Sequence, residues 1–232
     1  MSFGEIWQYG CFKDLLNSGI GYVVLFHVIC GLFSYLLGSI NCGILLSKFY
    51  GKDIRESGSG NAGATNMTRT YGKKAGVLTF LGDFLKASIA LIVSRILMGA
   101  VGAYVAGIFC ILGHAYPIYF KFKGGKGVVC IAAMALFTNW IVFLIMLPIF
   151  AIILFGFKMV SFASIMSMLI YPFLLSHIDG LGIRIIYAFV AAALVVFLHR
   201  KNIVRIFNHT ESKISLGKKK KAKEANDEEC EK

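Results

Sequence analysis

Glu56-Ser-Gly-Ser-Gly-Asn-Ala-Gly-Ala-Thr-Asn66 is a polar island between two long apolar runs, roughly 22–50 and 75–97. Glycine lets the backbone turn and lets N–H groups approach a ligand closely. Successive exposed N–H groups form an anion-binding nest. Here Gly58, Gly60 and Gly63 alternate with serine and asparagine donors, and Arg55 and Arg69 flank the loop. A plain connector seldom concentrates so many anion-binding elements. The island therefore reads as a site, held by apolar segments long enough to cross a bilayer.

Composition agrees with that reading. Of 232 residues, 57% are hydrophobic and 16% charged, with a mean hydropathy of +0.73. Soluble domains are about 45–50% apolar and about 25% charged. A helix needs roughly 20 apolar residues to span the hydrocarbon, and several runs reach that length. A transmembrane barrel would instead show short alternating segments. The expected fold class is all-α: a polytopic membrane protein of about seven transmembrane helices. The expected crossings are 22–50, 75–97, 99–119, 128–137, 141–157, 160–177 and 183–198. A cleavable signal is not expected, because Glu5 precedes any basic residue and the first apolar run is too long.

The charge pattern sets the orientation. Net charge is +12, which in a soluble protein would suggest nucleic acid. Here the lysines and arginines gather in loops and the tail, so nucleic acid is not expected as a partner. The loop 51–74 and its margins carry Lys48, Lys52, Arg55, Arg69, Lys73 and Lys74 against Asp53 and Glu56. Basic loops stay inside, which puts the N-terminus outside and the C-terminus in the cytoplasm. Residues 1–19 read as an N-terminal interfacial segment, 20–211 as the membrane domain, and 212–232 as a basic and acidic cytoplasmic tail. The six cysteines are scattered, without a C-x-x-C pair. They read as core residues, and neither a metal site nor a cofactor is expected.

Two further segments carry chemistry. Gly124-Gly-Lys-Gly127 opens the short apolar run 128–137. A helix N-terminus offers free N–H groups and a positive dipole to a phosphate, and Lys126 adds a charge. About 14 residues from Gly124 span only ~21 Å, short of the ~30 Å hydrocarbon core. The loop should therefore sit below the headgroup plane in a protein-lined pocket. No Walker A pattern is present, since Gly127 follows Lys126. In the segment 199–211, His199 and Asn202 lie three apart on one helical face. Arg200 and Arg205 are candidates for an anion, and Glu211 for orienting one of them. Asp83 and Lys86, also three apart, lie inside an apolar run. They are expected to form a structural ion pair that faces protein.

These features predict two anion sites at the inner face, with apolar walls reaching into the bilayer. They suit substrates that are phosphorylated at one end and greasy at the other. The combination of Gly38-Ser-Ile with Gly43, Asp53-Ile-Arg with Gly58-Ser-Gly-Asn, Gly63-Ala-Thr-Asn66, Gly113-His with Pro117, Gly124-Gly-Lys-Gly-Val128, Ser161 with Ser164, and His199-Arg with Asn202-Ile resembles the bacterial acyl-phosphate:glycerol-3-phosphate acyltransferases. The likeness covers about 38–211. Asn41, Val129-Cys130 and His209 stand where that family usually has proline, Ala-Thr and glycine.

The resemblance implies transfer of a fatty acyl group from acyl phosphate to the sn-1 hydroxyl of glycerol 3-phosphate, yielding lysophosphatidic acid at a bacterial plasma membrane. It implies Ser39, Lys126, His199 and Asn202 as catalytic residues. Gly124, Gly125, Lys126 and Gly127 would hold acyl phosphate, and Arg55, Asn61, Ser161, His199 and Asn202 glycerol 3-phosphate. The proton acceptor is His199 or a phosphate oxygen of the donor, the latter being preferred because it lies beside the hydroxyl. A monomer in membrane lipid is the simplest state. The chief rival is a transporter of an organic phosphate, which would need polar groups through to the outer face. An acyl-thioester enzyme is disfavoured, because none of the five histidines has an aspartate five residues on.

Overall fold

The computed structural model describes residues 2–214. The tail beyond, including the lysine-rich and acidic stretch from residue 217, lies outside the described residues. All regular structure among them is helical. Two short helices, α1 (Phe3–Tyr9) and α2 (Lys13–Asn17), precede α3 (Ile20–Ser39) and α4 (Cys42–Phe49). Then come α5 (Ala64–Tyr71), α6 (Lys73–Ala115), α7 (Val128–Thr138), α8 (Trp140–Phe157), α9 (Val160–Asp179), α10 (Ile183–Leu198) and α11 (Arg200–Phe207).

Four helical stretches are long and apolar enough to cross a membrane: Ile20–Phe49, Lys73–Phe120, Trp140–Phe157 and Val160–Asp179. Taking α10 with α11, which bends from it by 59°, makes a fifth. α6 is longer than any single crossing. Its 43 residues would extend roughly 65 Å if straight. Instead Gly99 takes φ 65°, ψ −151°, a conformation open to a residue without Cβ. Lys86 Nζ lies 3.1 Å from His114 Nδ1, although 28 residues of straight helix would separate them by about 42 Å. α6 therefore folds back on itself into two antiparallel limbs.

The core sits between these limbs and α7, α9 and α10. Leu91, Tyr104, Ile111, Met134, Tyr171, Leu175 and Val195 are its largest buried side chains. Outside it, Leu78, Leu81 and Leu85 on α6 and Leu144, Leu147, Ile152 and Phe155 on α8 are exposed. An apolar surface of that extent is expected only against lipid or a partner. Asn139 sets the start of α8: its Oδ1 accepts the N–H groups of Ile141 and Val142 at 3.0 Å, and its Nδ2 donates to Asp179. Such a cap satisfies donors the helix leaves unpaired.

One expectation from the sequence needs correction. The crossing expected as continuous over 22–50 is broken at Ile40 and Asn41, both extended. The break holds because its loose ends are taken up. Asn41 caps α4 by accepting the Ile44 N–H at 3.2 Å. Lys86 Nζ donates to the carbonyls of Gly38 (2.9 Å) and Ile40 (2.7 Å). Lys86 is in turn paired with Asp83 at 2.8 Å, both nearly fully buried. At the N-terminus, α1 packs across the bend of α6. Arg95 Nε donates to the Trp7 carbonyl at 3.0 Å, and its guanidinium lies 4.4 Å over the Trp7 ring. Gly10 and Gly99 allow the two backbones to touch, where a side chain on either would collide.

Candidate functional site

A cavity of about 240 Å³ lies where the polar segments meet. Its walls come from Ser59, Asn61 and Thr65 on the glycine-rich loop and α5, and from Lys126 to Val129 at the head of α7. Further lining comes from Arg69 of α5, Phe80, Asp83 and His114 of α6, Phe150 of α8, Ser161 and Ser164 of α9, His199, Arg205 and the segment Glu211, Ser212, Ile214. One side continues into an apolar groove of about 260 Å³ between α6, α7, α8 and α9. Phe80, Val128, Val129, Phe150 and Ser164 line both chambers.

The glycine-rich loop is shaped by Asn66. This buried side chain donates through Nδ2 to the carbonyls of Ile54, Ser57 and Asn61 and accepts the Ser59 N–H at 2.9 Å. One amide thus closes the loop on itself and leaves Asn61 at the cavity wall. Sequence reading counted Asn66 only among the loop's neutral donors. The only signal was an asparagine following a run of glycines, a weak cue for an amide-stapled turn.

The head of α7 differs from the expected phosphate cradle. Gly124 N–H donates to the Ala115 carbonyl and Gly125 N–H to the His114 carbonyl, each at 3.0 Å. Those two donors are committed within the fold. The N–H groups of Lys126, Gly127, Val128 and Val129 have no such acceptor among the described residues, and these four residues line the cavity. The uncommitted donors at this helix head therefore begin two residues further along the chain than expected. Gly124 and Gly125 are needed for a different reason, since a Cβ on either would strike His114 or Pro117. Gly125→Ala is expected to lower stability by about 1–3 kcal/mol through overpacking, read as a lower thermal midpoint in detergent.

The C-terminal segment forms a connected network. Glu211 accepts hydrogen bonds from Ser161 Oγ and Asn202 Nδ2, each at 2.6 Å, and pairs with Arg205 at 2.7 Å. Asn202 Oδ1 accepts from Lys126 Nζ. Ile214 N–H donates to the Lys158 carbonyl at 2.7 Å, which ties the strap across α9. His209 holds φ 55°, the left-handed region that glycine enters at lower cost. Arg200 turns away and stacks on Phe197 at 4.5 Å. Of the two arginines expected to meet an anion, Arg205 lines the cavity.

Electrostatics follow from burial. Desolvation pulls the Lys126 ammonium down to about 8, with Glu211 opposing. Desolvation, then the Lys126 charge, pulls His199 down to about 4. His199 Nδ1 lies 2.8 Å from the Val195 carbonyl. That nitrogen must carry the proton, which leaves Nε2 with a lone pair. Burial would raise the Glu211 carboxyl, but hydrogen bonds from Arg205, Ser161 and Asn202 outweigh it and carry the group below its usual range. Among the described residues no three histidine, cysteine or acidic side chains converge on one point.

Lys126, His199, Ser161 and Asn61 thus line one cavity and Asn202 stands behind it, bonded to Lys126 and Glu211, while Arg55 and Ser39 are not at its wall. The Arg55 guanidinium pairs with Asp53 at 2.6 Å and donates to the carbonyls of Phe120 (2.9 Å) and Lys123 (3.0 Å). Its donors are used to tether the segment leading into Gly124. Ser39 is fully buried, donates to the Tyr35 carbonyl at 2.8 Å and accepts the Ile118 N–H at 3.4 Å. Both residues support loops that carry the site.

The chain is similar to known proteins. The chain is 42% identical over 180 residues to a glycerol-3-phosphate acyltransferase of Geotalea daltonii, covering 77% of this chain and 93% of that protein. It is 40% identical over 182 residues to one of Bacillus subtilis, covering 78% and 94%. The crystal structure of PlsY (YgiH), an integral membrane glycerol 3-phosphate acyltransferase, in its glycerol 3-phosphate form is similar with a TM-score of 0.77 and 36% identity. That comparison covers 82% of this chain and 96% of the other. The lysophosphatidic acid form gives 0.74 and 35%, covering 82% and 95%. Residues 28–209, a stretch that holds every wall of the cavity except its closing strap, match the glycerol-3-phosphate acyltransferase family, and the chain belongs to that family.

Proposed function

We propose that this protein transfers a fatty acyl group from acyl phosphate to the sn-1 hydroxyl of glycerol 3-phosphate, releasing lysophosphatidic acid and phosphate. The observation that carries the reading is the pair of joined chambers, one polar with Arg69, Lys126 and Arg205 in its wall, the other almost wholly apolar. An acyl phosphate fits that junction with its phosphate in the first and its chain in the second. Relatives of this chain bear the name of the reaction, and a solved one is described in glycerol 3-phosphate and lysophosphatidic acid forms.

The mechanism follows from charge and position. Lys126 and the N–H groups of Lys126 to Val129 hold the donor phosphate. Asn61, Ser161, His199, Asn202 and Arg205 receive glycerol 3-phosphate, while Arg55, Ser39, Gly124 and Gly125 act through the loops they fix. The hydroxyl oxygen attacks the acyl carbon, the bond from that carbon to the phosphate oxygen breaks, and the hydroxyl proton passes to the departing phosphate. Because the mixed anhydride has a good leaving group, positioning and charge stabilisation supply the rate. His199, neutral and a weak base at about 4, suits hydrogen bonding better than proton abstraction at neutral pH.

The membrane arrangement belongs to the same proposal. Seven crossings count α3 with α4, the two limbs of α6, α7, α8, α9 and α10. α7, with 11 residues, rises about 16 Å and shares its crossing with the re-entrant loop before it. The basic loops support an orientation with the N-terminus outside, the C-terminus inside and the cavity at the cytoplasmic face of a bacterial plasma membrane. A transport role lacks comparable support, because Leu91, Tyr104, Met134 and Tyr171 fill the core behind the cavity.

The test is direct. Purified protein should release phosphate from acyl phosphate only when glycerol 3-phosphate is present; release without acceptor, or none with it, defeats the reading. A pH series adds a second check. Lys126 serves as an ammonium, present below about 8 and lost above it. The kcat/KM for acyl phosphate should therefore fall as pH rises through about 8. Lys126→Arg should remove that fall in whatever activity it retains, since a guanidinium stays charged.

A further inference from the structure

Asp83 has one oxygen that the fold uses and one that it does not. Oδ1 takes Lys86 Nζ at 2.8 Å, lies 3.4 Å from the Cys42 N–H and 3.6 Å from His114 Nδ1. Oδ2 is buried and meets no donor among the described residues. Asp83 is 1% exposed, yet it lines the polar cavity. A buried carboxylate oxygen without a donor is costly, and such exceptions call for a specific partner. Its position says which partner. Phe80, one helical turn before Asp83, lines both chambers, and Phe84, next to Asp83, lines the apolar one. Asp83 thus stands where the polar cavity gives way to the groove.

We propose that Asp83 Oδ2 accepts a hydrogen bond from a glycerol hydroxyl of the acceptor and holds that end of the molecule at the junction. This rests on the function proposed above and assigns a specificity residue to it. The cations of the cavity recognise the phosphate and cannot tell glycerol 3-phosphate from any small phosphomonoester. An acceptor-only carboxylate oxygen at the far end recognises a hydroxyl and rejects a methyl group, because a methyl would leave it buried and unpaired. The placement also matches the chemistry. Phosphate and chain of the donor occupy different chambers, so the acyl carbon lies at their junction, where the attacking hydroxyl must be. Lys86 keeps the carboxylate charged through Oδ1 and leaves Oδ2 to the substrate. The pair is structural on one oxygen and substrate-facing on the other.

The experiment compares glycerol 3-phosphate with n-propyl phosphate, which keeps the phosphate and lacks both hydroxyls, on the full-length protein and on Asp83→Asn. Lys86 keeps its two carbonyl acceptors in that variant. The expected result is a rise in the KM for glycerol 3-phosphate of about tenfold, with inhibition by propyl phosphate unchanged. Equal weakening of both would show that Asp83 only holds the fold, and no change in either would show that a water meets Oδ2; each overturns the proposal. Should Asp83→Asn fail to insert, infrared difference spectra of the unaltered protein labelled with ¹³C-aspartate decide instead. Glycerol 3-phosphate, but not propyl phosphate, should shift a carboxylate band, and no difference between the two overturns the proposal. If the unaltered protein makes no lysophosphatidic acid at all, the broader function fails and this assignment falls with it; if it does and only the comparison fails, the broader function stands.

Discussion

Lys126→Ala is expected to lower turnover by about 10²-fold or more, the loss typical of one preorganised donor, while the KM for glycerol 3-phosphate stays within a few-fold. Lys126 sits at the head of α7, where four cavity-lining residues have uncommitted N–H groups. In the proposed mechanism, charge builds on the donor phosphate as the anhydride breaks, so the ammonium's contact strengthens in the transition state. Its partner Asn202 is already fixed by Glu211, so the lysine is positioned before substrate arrives. Steady-state kinetics on both substrates decide the matter. A variant that weakens only the acceptor would mean that the two phosphate positions have been exchanged.

Lys86→Met should be the most damaging change to the fold itself. It strands Asp83 as a buried, uncompensated carboxylate and frees the carbonyls of Gly38 and Ile40 at the helix break. Removing one partner of a buried pair typically costs about 3–5 kcal/mol. Thermal or denaturant unfolding in detergent measures this. The double variant Lys86→Met, Asp83→Asn should recover part of the loss, since the stranded charge is gone while the two carbonyls remain unpaired. Single and double variants of equal stability would show that the charge was not the source of the cost.

Much of this was legible in the sequence, for reasons that differ by element. The long apolar runs announced their helices because a crossing has to be apolar over its length. The glycine-rich island and the loop at Lys126 announced themselves as polar interruptions. The break at Ile40 was only half legible: Ser39 and Asn41 interrupt the apolar run there, but Lys86, which takes up the freed carbonyls, lies 46 residues away. The commitment of the Gly124 and Gly125 N–H groups was hidden. Their acceptors, the carbonyls of Ala115 and His114, carry no side-chain signature. Arg55 was assigned to glycerol 3-phosphate on the family resemblance, and nothing in the sequence signalled that Asp53 and two carbonyls take its donors. Glu211 was read as orienting one cation and proved to join Ser161, Asn202 and Arg205.

The groove that leaves the cavity between Phe80 and Leu147, both substantially exposed on the outer surface of the helices, has a kinetic consequence. One substrate arrives from water in three dimensions and the other along a sheet in two. For the second, the quantity that governs saturation is its mole fraction in the surrounding lipid or detergent, not its amount per litre. Diluting the donor with inert lipid at constant bulk concentration should slow the reaction, whereas the same lipid should leave saturation by glycerol 3-phosphate untouched. The two Michaelis constants of this protein belong on different scales.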